Sequence, residues 1–425
     1  MGAKSEGASR GPAGLPGGSW PPADRRPSAS CGLVGRDIIR VSDLEREEME
    51  ALFCFADELS AAARDKSDIC RGKVLAALFY EPSTRTRLSF ETAMHRLGGD
   101  VISCADPSMT SAAKGETLAD TVRIVEGYAD VIVIRHPLEG SAAVAALYSK
   151  APVINAGDGA HEHPTQTLLD LYTLRAERGK IEGTWVLLVG DLKYGRAAHS
   201  FAYGLALFGA NIACVCPAGL EMEEQVRNRL TRIMGRAPLQ FGSIERLESD
   251  EQLRAASEGK PMRLFDAIYV TRVQKERFRS PEEFEAARSS YSINVEVLRR
   301  AREDTVVMHP LPRVDELDYG LNSDPRAAYF RQASRGVPIR MALLAAILGK
   351  WDKPPAALSQ ARRAEQPPVN IEGAKCQNPR CITTQERHLA PEFRQIEGAV
   401  CCAYCERPIG QGPGVRGQGP GRVDR

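Results

Sequence analysis

Hydroxyl and guanidinium side chains are concentrated in residues 81–87, a segment that separates an apolar run from an amphipathic stretch. Its hydroxyl donors are Ser83, Thr84 and Thr86. Arg85 adds a planar guanidinium that can form two parallel hydrogen bonds to a phosphate group. A helix that begins here would add its first backbone amides and the positive end of its dipole. The pattern predicts a phosphate site; in the alternative interpretation the hydroxyls only cap the helix, and Arg85 and Arg87 are solvated.

Polar side chains recur after other predicted strands. Arg135 follows one apolar run, and His163 and Gln166 open a helical stretch after the Gly-rich residues 155–159. Open α/β sheets bind ligands at the carboxyl ends of their strands, so these donors predict one shared ligand site. A single histidine in such a place is more often structural than catalytic, but the recurrence of donors at three strand ends favours a ligand site.

The second half of the chain contributes two separated arginines at strand ends. Arg196 follows residues 190–195, which resemble a dinucleotide-binding turn but lack the G-x-G-x-x-G spacing, so a nicotinamide cofactor has little support. Arg272 follows another predicted strand. Two such arginines suit a dicarboxylate ligand, although each taken alone is typical of a surface residue. Residues 309–313, with two prolines, predict a rigid turn that could present backbone carbonyls.

Short apolar runs alternate with helical stretches, which predicts parallel sheets with helices on both faces. The predicted strands are residues 73–80, 131–134, 152–155, 185–189, 212–216, 267–270 and 305–308. The helix after the first strand begins at Ser83 or Thr84 and ends at glycines. The predicted fold class is α/β, with two doubly wound parallel-sheet domains over residues 31–168 and 169–335. A helix over residues 336–350 completes the first domain.

The composition limits the class of protein. The 425 residues are 43% hydrophobic and 26% charged with a net charge of +1, which is typical of a globular protein and argues against nucleic-acid or membrane-surface partners. No apolar run approaches the ~18 residues that cross a bilayer. Residues 1–30, rich in Gly, Pro and Ser without an apolar signal-peptide core, and residues 410–425 are expected to be disordered tails. The lack of a signal peptide predicts a reducing, cytoplasmic location.

Cysteines are crowded near the end of the chain, beyond a Pro-, Ala- and Arg-rich linker at residues 351–375. Two close pairs, separated by 20 residues, are formed by Cys376, Cys381, Cys402 and Cys405. This spacing suits a tetrahedral zinc site with four thiolate ligands, and the metal would supply the folding energy that the small domain at residues 376–409 lacks. The alternative is four unrelated thiols. Cys401 is a free thiol or an alternative ligand.

Taken together, the motifs of residues 36–350 resemble the catalytic chain of aspartate carbamoyltransferase. The matching words, in the family's order, are FYEPSTRTRLSFE (79–91), KGETLADT (114–121), RHPLEG (135–140), NAGDGAHEHPTQTLLDL (155–171), VGDLKYGR (189–196), TRVQKER (271–277) and HPLPRVDE (309–316). The sister family, ornithine carbamoyltransferase, typically has H-C-L-P at the position of residues 309–312 and lacks T-R-V-Q. Arg272 would also repel the side-chain amine of ornithine. The resemblance implies transfer of the carbamoyl group of carbamoyl phosphate to L-aspartate, an early step of pyrimidine biosynthesis.

The resemblance implies a role for each strand-end residue around carbamoyl phosphate. The phosphate would be held by Ser83, Thr84, Arg85 and Thr86. The carbamoyl oxygen, on which negative charge grows, would be surrounded by Thr86, Arg135 and His163. The carbamoyl amino group would be held by Gln166 and the turn with Pro310, Leu311 and Pro312. The implied mechanism uses neither a metal nor a covalent nucleophile, and the departing phosphate takes the proton of the attacking amine.

For the acceptor, the resemblance implies a second group of residues. They are Arg196 for the α-carboxylate of aspartate, Arg272 and Gln274 for the side-chain carboxylate, and Leu311 beside them. In this family a loop of the neighbouring subunit completes the site, and here Lys114 and Thr110 stand for that loop, or Ser111 if the alignment slips by one residue. The shared site implies a homotrimer.

The words CQNPRCI and CCAYCE resemble the zinc domain of the regulatory chain of aspartate carbamoyltransferase, which contacts the catalytic chain in that family. The resemblance implies a fusion of the two chains, with zinc serving subunit assembly. Only about 25 residues separate the catalytic part from Cys376, which leaves no room for the nucleotide-binding domain of the regulatory chain. Assembly beyond the trimer and a dihydroorotase partner stay open.

Two other functions stay open from the residues alone. A carbamoyltransferase for another amino acid, such as ornithine, would differ around the acceptor. A zinc-ribbon protein that binds nucleic acid on an inactive scaffold has support only from the basic tail with Arg416, Arg422 and Arg425. The presence of all the cationic residues that the motifs require argues against an inactive scaffold.

Overall fold

The computed structural model describes residues 32–62, 67–104, 111–273, 291–352, 354, 368–369, 371, 373–386, 388–396 and 398–409. The expected tails at residues 1–30 and 410–425 lie outside the described residues, as does most of the expected linker at residues 351–375.

Within these ranges, the first domain is built on four parallel strands in the order β2-β1-β3-β4. The strands are β1 (Val74–Phe79), β2 (Asp100–Cys104), β3 (Val131–His136) and β4 (Val153–Asp158). The helices are α1 (Arg46–Ala62), α2 (Thr84–Arg96), α3 (Leu118–Val125), α4 (Ser141–Tyr148) and α5 (Pro164–Arg178). The inner strands β1 and β3, and also β4, are buried along most of their length because helices cover both faces of the sheet. The edge strand β2 is largely exposed.

The second domain repeats this architecture with five parallel strands, counted over the described residues, in the order β7-β6-β5-β8-β9. The strands are β5 (Trp185–Val189), β6 (Asn211–Val215), β7 (Leu239–Phe241), β8 (Ala267–Val270) and β9 (Val306–Met308). The helices are α6 (Arg196–Leu207), α7 (Glu224–Met234), α8 (Ile244–Ser249), α9 (Glu251–Ala256) and α10 (Val295–Arg300). The predicted fold class, two doubly wound α/β domains, is confirmed.

A long helix, α11 (Tyr329–Ile347), connects the two domains. It starts beside β9, where the Ala328 amide donates to the Val307 carbonyl at 2.9 Å, and it then packs against α1, α2 and α5 of the first domain. The sequence predicted this helix over residues 336–350, so the predicted start is wrong by seven residues. Pro338 lacks an amide hydrogen and obscures the signal, whereas the preceding turn is held by the Gln332 amide bonded to the Ala328 carbonyl.

The cysteine-rich domain contains the short helix α12 (Ile382–Gln385) and an antiparallel hairpin of β10 (Phe393–Ile396) and β11 (Ala399–Cys402). It packs on the outer side of the first domain, where Ile382, Leu389 and Tyr404 share an apolar cluster with α3 and α4. Gly140 is required at this contact: its φ is +84°, and a Cβ there would lie 2.7 Å from the Cβ of Tyr404. The domain is therefore seated directly on the catalytic part of its own chain.

Over the described residues, no helix combines the length and the apolar character needed to cross a membrane.

The three aromatic rings of Phe53, Tyr172 and Phe208 stack where α1, α5 and the end of α6 meet, with ring centroids 5.9 Å and 6.0 Å from Phe53. Phe53 is fully buried. We expect Phe53→Ala to lower the free energy of unfolding by about 3–5 kcal/mol, because it removes contacts and leaves a cavity. Denaturant unfolding measures this change. Leu88→Ala, at a half-exposed position, serves as the control and should lower the free energy of unfolding by less than about 1 kcal/mol. Equal decreases in both variants would contradict the stabilising role of the buried Phe53 ring.

Candidate active site

A cavity of about 410 Å³ lies between the carboxyl ends of the strands of the two sheets. The predicted site residues that line it are Ser83, Thr84, Arg85, Thr86, Arg135, His163, Gln166, Arg196, Pro310, Leu311 and Pro312. They lie at the carboxyl end of β3, in the segments after β1, β4, β5 and β9, or in the first turns of the helices that follow, so several strand ends contribute to one cavity. Predicted site residues as far apart in the chain as Ser83 and Pro312, 229 positions, are thus brought together.

Some predicted residues are not brought into this cavity. Lys114, Ser111 and Arg272 are exposed, and none of them is among the described residues that line the cavity. Thr110 and Gln274 lie outside the described residues. The roles predicted for these residues at the acceptor and at a neighbouring subunit stay predictions.

The start of α2 is arranged to receive an anion. Ser83 occupies the N-cap position with extended backbone, but its hydroxyl makes no capping hydrogen bond within the described structure. The interpretation that this serine only caps the helix is therefore not supported. Arg87 does not enter the cavity; it pairs with Glu91 one turn later at 3.4 Å. Hydroxyls, helix amides and the Arg85 guanidinium remain on the side of the cavity.

Two guanidinium groups from different domains meet across the cavity. The carboxylate Oε2 of Glu81 lies 3.2 Å from Nε of Arg135 and 3.5 Å from Nη2 of Arg196. Burial and the nearby Arg196 lower the pKa of Arg135 to about 10, against the opposite effect of Glu81. Glu81 is a site residue that the sequence analysis missed, although it lies next to the predicted phosphate motif.

Gly157, near the carboxyl end of β4, allows these two arginines to approach the end of the strand and the loop that follows it. Its φ is +112°, and a Cβ there would lie 3.0 Å from Nη2 of Arg196 and 3.4 Å from Nη1 of Arg135. The Arg196 guanidinium also donates to the carbonyl of Gly159, in the same loop. The loop therefore sets the position of both cations through close backbone contact.

His163 is a neutral side chain in this cationic environment. It occupies the N-cap position of α5 and is 5% exposed. Burial, followed by the charges of Arg196, Arg135 and Arg340, lowers the pKa of His163 well below its usual value. At neutral pH the imidazole can therefore donate a hydrogen bond through one nitrogen without adding a full charge.

The rear of the cavity is a buried polar network that the sequence analysis also missed. Arg340 of α11 lines the cavity at 3% exposure, and burial lowers its pKa to about 10. Asp170 of α5 is completely buried and accepts hydrogen bonds from Gln166, Gln332 and Tyr269. Burial raises the pKa of Asp170 to about 7. Asp170 lies within the matching word at residues 155–171, but the sequence gives no role to it or to Arg340, because α11 and α5 meet only in the folded protein.

The turn after β9 is held by a defined histidine tautomer. Nε2 of His309 donates to Glu316 at 2.8 Å, and Nδ1 accepts from the Leu311 amide at 2.8 Å. Leu311 has a φ of +53°, and the peptide bond between Leu311 and Pro312 is cis. Pro310 and Leu311 of this turn line the cavity.

The four predicted cysteines form a compact cluster. Their sulfur atoms lie within 4.8 Å of one another, with 3.6 Å between Cys376 and Cys405 and 3.8 Å between Cys381 and Cys402. Four thiolates placed about 2.3 Å from a tetrahedral ion are about 3.8 Å apart, so the cluster fits a structural metal ion. Cys401 bonds to the Ala399 carbonyl at 3.7 Å and is not part of the cluster.

Acidic side chains connect the cysteine-rich domain to the loops around the cavity. Glu139, in the turn after β3, is buried and accepts from Asn378 at 2.7 Å, and it lies 3.1 Å from Arg407. Glu386 accepts from the Leu118 amide at 3.0 Å, at the start of α3. Glu406 pairs with Arg40 and reaches His161 in the loop after β4.

The fold and the cavity define a carbamoyltransferase class of enzyme. Residues 36–176 match the family described as aspartate/ornithine carbamoyltransferase, carbamoyl-P binding domain, and residues 182–347 match its Asp/Orn binding domain. Residues 370–412 match the aspartate carbamoyltransferase regulatory chain, metal binding domain.

Curated relatives and solved structures narrow the class. The aspartate carbamoyltransferase catalytic subunits of Methanopyrus kandleri and Thermococcus kodakarensis are 50% and 48% identical, over 75% and 74% of this chain and 98% and 97% of their own lengths. The catalytic subunit of M. jannaschii aspartate transcarbamoylase has 43% identity and a TM-score of 0.67, over 74% of this chain and 98% of that one. The Trypanosoma cruzi aspartate transcarbamoylase in complex with carbamoyl phosphate and aspartate has 35% identity and a TM-score of 0.67, over 75% and 97%. The chain belongs to the aspartate carbamoyltransferase catalytic family and carries the metal-binding domain of the regulatory chain at its C-terminal end, which confirms the predicted resemblance.

We expect Gly157→Ala to displace the guanidinium groups of Arg135 and Arg196 and to weaken the binding of small anions by on the order of tenfold. Isothermal titration with inorganic phosphate and with succinate, a simple dicarboxylate, measures the effect. Gly183→Ala is a matched control, since Gly183 has a φ of +72° but nothing within 4 Å of a new Cβ. Both variants should lose some stability from the positive φ. Unchanged anion affinity in Gly157→Ala would refute the role of this loop.

Proposed function

We propose that this enzyme transfers the carbamoyl group of carbamoyl phosphate to the amino group of L-aspartate, which gives N-carbamoyl-L-aspartate and phosphate in pyrimidine biosynthesis. One observation carries the proposal: cationic side chains from both domains converge, with a neutral histidine, on a cavity between the strand ends. Family membership supports the same reaction.

The phosphate of the donor fits the start of α2. In the proposal, it accepts from the hydroxyls of Ser83, Thr84 and Thr86, from the Arg85 guanidinium and from the first helix amides. Burial lowers the pKa of Arg85, and a dianion bound beside it would restore the preference for the charged guanidinium. The helix dipole adds to the attraction.

The carbamoyl oxygen gains negative charge when the amine attacks. We assign Thr86, Arg135 and His163 to this oxygen as catalytic residues. Preorganised donors at a developing oxyanion each contribute on the order of 10²–10³ in rate. The neutral state of His163 suits this role, because it can donate while two arginines already supply positive charge nearby.

The carbamoyl amino group needs hydrogen-bond acceptors. We assign the Gln166 amide oxygen and the backbone carbonyls of Pro310 and Leu311, next to Pro312, to this group. All of them line the cavity.

For the acceptor substrate, we assign Arg196 to the α-carboxylate of aspartate, with Leu311 beside it. Arg272 and Gln274 are proposed for the side-chain carboxylate, and Lys114 with Thr110 or Ser111 is proposed to enter the site of a neighbouring subunit. A homotrimer follows from this sharing. Lys114 and Arg272 are exposed in the single chain. This exposure agrees with a site that is completed by movement of Arg272 and by Lys114 of a neighbouring subunit.

The reaction step balances without a side-chain base. A new C–N bond forms between the aspartate amine and the carbamoyl carbon, while the C–O bond to phosphate breaks and its electron pair stays on the phosphate oxygen. The amine proton moves to that phosphate. Glu81 is paired with arginines and Asp170 accepts from amides and a phenol, so neither described carboxylate is placed to act as the base. Most of the rate gain then comes from positioning two substrates and stabilising the oxyanion.

We further propose that the ion of the cysteine cluster is zinc and that it has a structural role. Zinc favours tetrahedral coordination by four thiolates, and small domains of this type take their folding energy from the metal. When bound, the ion would hold the cysteine-rich domain against the catalytic part of the chain.

The first test is formation of the ureido product from carbamoyl phosphate with aspartate and, in parallel, with ornithine. We expect turnover with aspartate alone. Arg85→Ala should lower kcat/KM by on the order of 10²–10³, because it removes a charged donor to the phosphate. Arg87→Ala, two residues later and paired with Glu91 outside the cavity, is the matched control and should retain activity. Turnover with ornithine would overturn the assignment of Arg196 and Arg272.

We expect one zinc ion per chain by elemental analysis, and loss of that ion in Cys405→Ser. The variant should have a lower melting temperature and a weakened assembly, because the cysteine-rich domain unfolds without its metal. Cys401→Ser changes a neighbouring buried thiol outside the cluster and should keep the zinc. A metal-free protein with unchanged melting temperature and oligomeric state would contradict the structural role.

A further inference from the structure

A single carboxylate oxygen lies behind the acceptors proposed for the carbamoyl amino group. Oδ1 of Asp170 accepts from Nε2 of Gln166 at 2.8 Å and from Nε2 of Gln332 at 2.6 Å. The other oxygen, Oδ2, accepts from the hydroxyl of Tyr269 at 2.7 Å. Asp170 is fully buried, so water does not compete for these bonds.

At pH 8, above the pKa of about 7 that burial gives Asp170, its carboxylate is mostly ionised and only accepts hydrogen bonds, so it selects the orientation of each amide that faces it. The NH₂ group of Gln166 must point to Asp170, which leaves the amide oxygen for the cavity that Gln166 lines. The two residues are four positions apart on α5 and face each other directly. Reversal of this amide would present a donor to the substrate's amino group instead of an acceptor.

The same oxygen orients a second amide that holds the turn after β9. The NH₂ group of Gln332 donates to Asp170, and its oxygen accepts from the His309 amide at 2.9 Å. The His309 ring in turn accepts from the Leu311 amide at 2.8 Å. The position of the carbonyls of Pro310 and Leu311 thus depends on the bond between Gln332 and Asp170.

We propose that Asp170 is a positioning residue that sets both groups of acceptors for the carbamoyl amino group, Gln166 directly and the turn of Pro310 and Leu311 through Gln332. The inference rests on the proposed function, since it concerns the same substrate. It predicts that Asp170 determines selectivity for a donor with an amino group over an isosteric donor without one, and that it does not affect the phosphate site.

Acetyl phosphate tests this selectivity, because it carries a methyl group in place of the amino group. The measurements are the KM of carbamoyl phosphate, the inhibition constant of acetyl phosphate and the dissociation constant of inorganic phosphate, with the full-length zinc-loaded enzyme at pH 8. Asp170→Ala should raise the KM of carbamoyl phosphate by on the order of tenfold and leave the other two constants within about threefold. Asp170→Asn should recover most of the selectivity, since the asparagine oxygen can accept from both glutamines while its NH₂ faces the Tyr269 hydroxyl.

Tyr269→Phe is the matched control, because it removes a bond to Oδ2 and leaves Oδ1 unchanged; we expect wild-type selectivity. Should Asp170→Ala fail to fold, Gln332→Leu breaks the link to the turn alone and should raise the KM of carbamoyl phosphate without changing phosphate affinity. Wild-type selectivity in the folded Asp170→Ala or Gln332→Leu variant overturns the inference. An equal loss of affinity for carbamoyl phosphate, acetyl phosphate and inorganic phosphate overturns it as well. If the wild-type enzyme does not distinguish carbamoyl phosphate from acetyl phosphate and makes no ureido product, both the proposed function and the inference about Asp170 are overturned.

Discussion

Like charges have to be held together in one cavity, most of them withdrawn from water, and much of the structure follows from this constraint. Arg85, Arg135, Arg196 and Arg340 all line the cavity, and burial lowers the pKa of three of them. Charged groups away from water need nearby compensation. Glu81 supplies part of it by pairing with two of the arginines. A bound dianion would supply the rest, so the arrangement favours ligands with phosphate and carboxylate groups over neutral ones.

Rigid elements keep this unfavourable arrangement in place. Each of the four arginines lies in a helix or, for Arg135, at the end of the buried strand β3, and α11 joins the domains from which they come. Gly157 lets the end of β4 contact two guanidinium groups, and Asp170 orders the amides behind them. The cysteine-rich domain supports the same loops from outside, through Glu139 and the pair of Glu406 with His161. The packing of the whole fold thus offsets the repulsion between the arginines of the cavity.

The sequence predicts the strands well because buried parallel strands are short continuous apolar runs; β5 and β8 have the predicted bounds. It misses the largely exposed edge strand β2, the short edge strand β7 and the first turns of α11 before Pro338. Local motifs identify the site residues near each strand end, since their functional side chains are close together in the sequence. They do not identify Asp170 or Arg340, which meet only through tertiary packing, or Glu81, whose charge is opposite to that expected of an anion site.

The cysteine-rich domain packs on the catalytic part of its own polypeptide chain, and this changes how its docking depends on concentration. Both parts belong to one polypeptide chain, so docking of the cysteine-rich domain is an intramolecular event with an effective concentration on the order of millimolar. Contacts too weak to hold a separate subunit at cellular dilution would suffice here. The ratio of the two parts is one to one in every molecule, whatever the level of expression. A docking surface that does not have to select a separate chain from solution can change more freely in sequence, as long as the two parts stay on one chain.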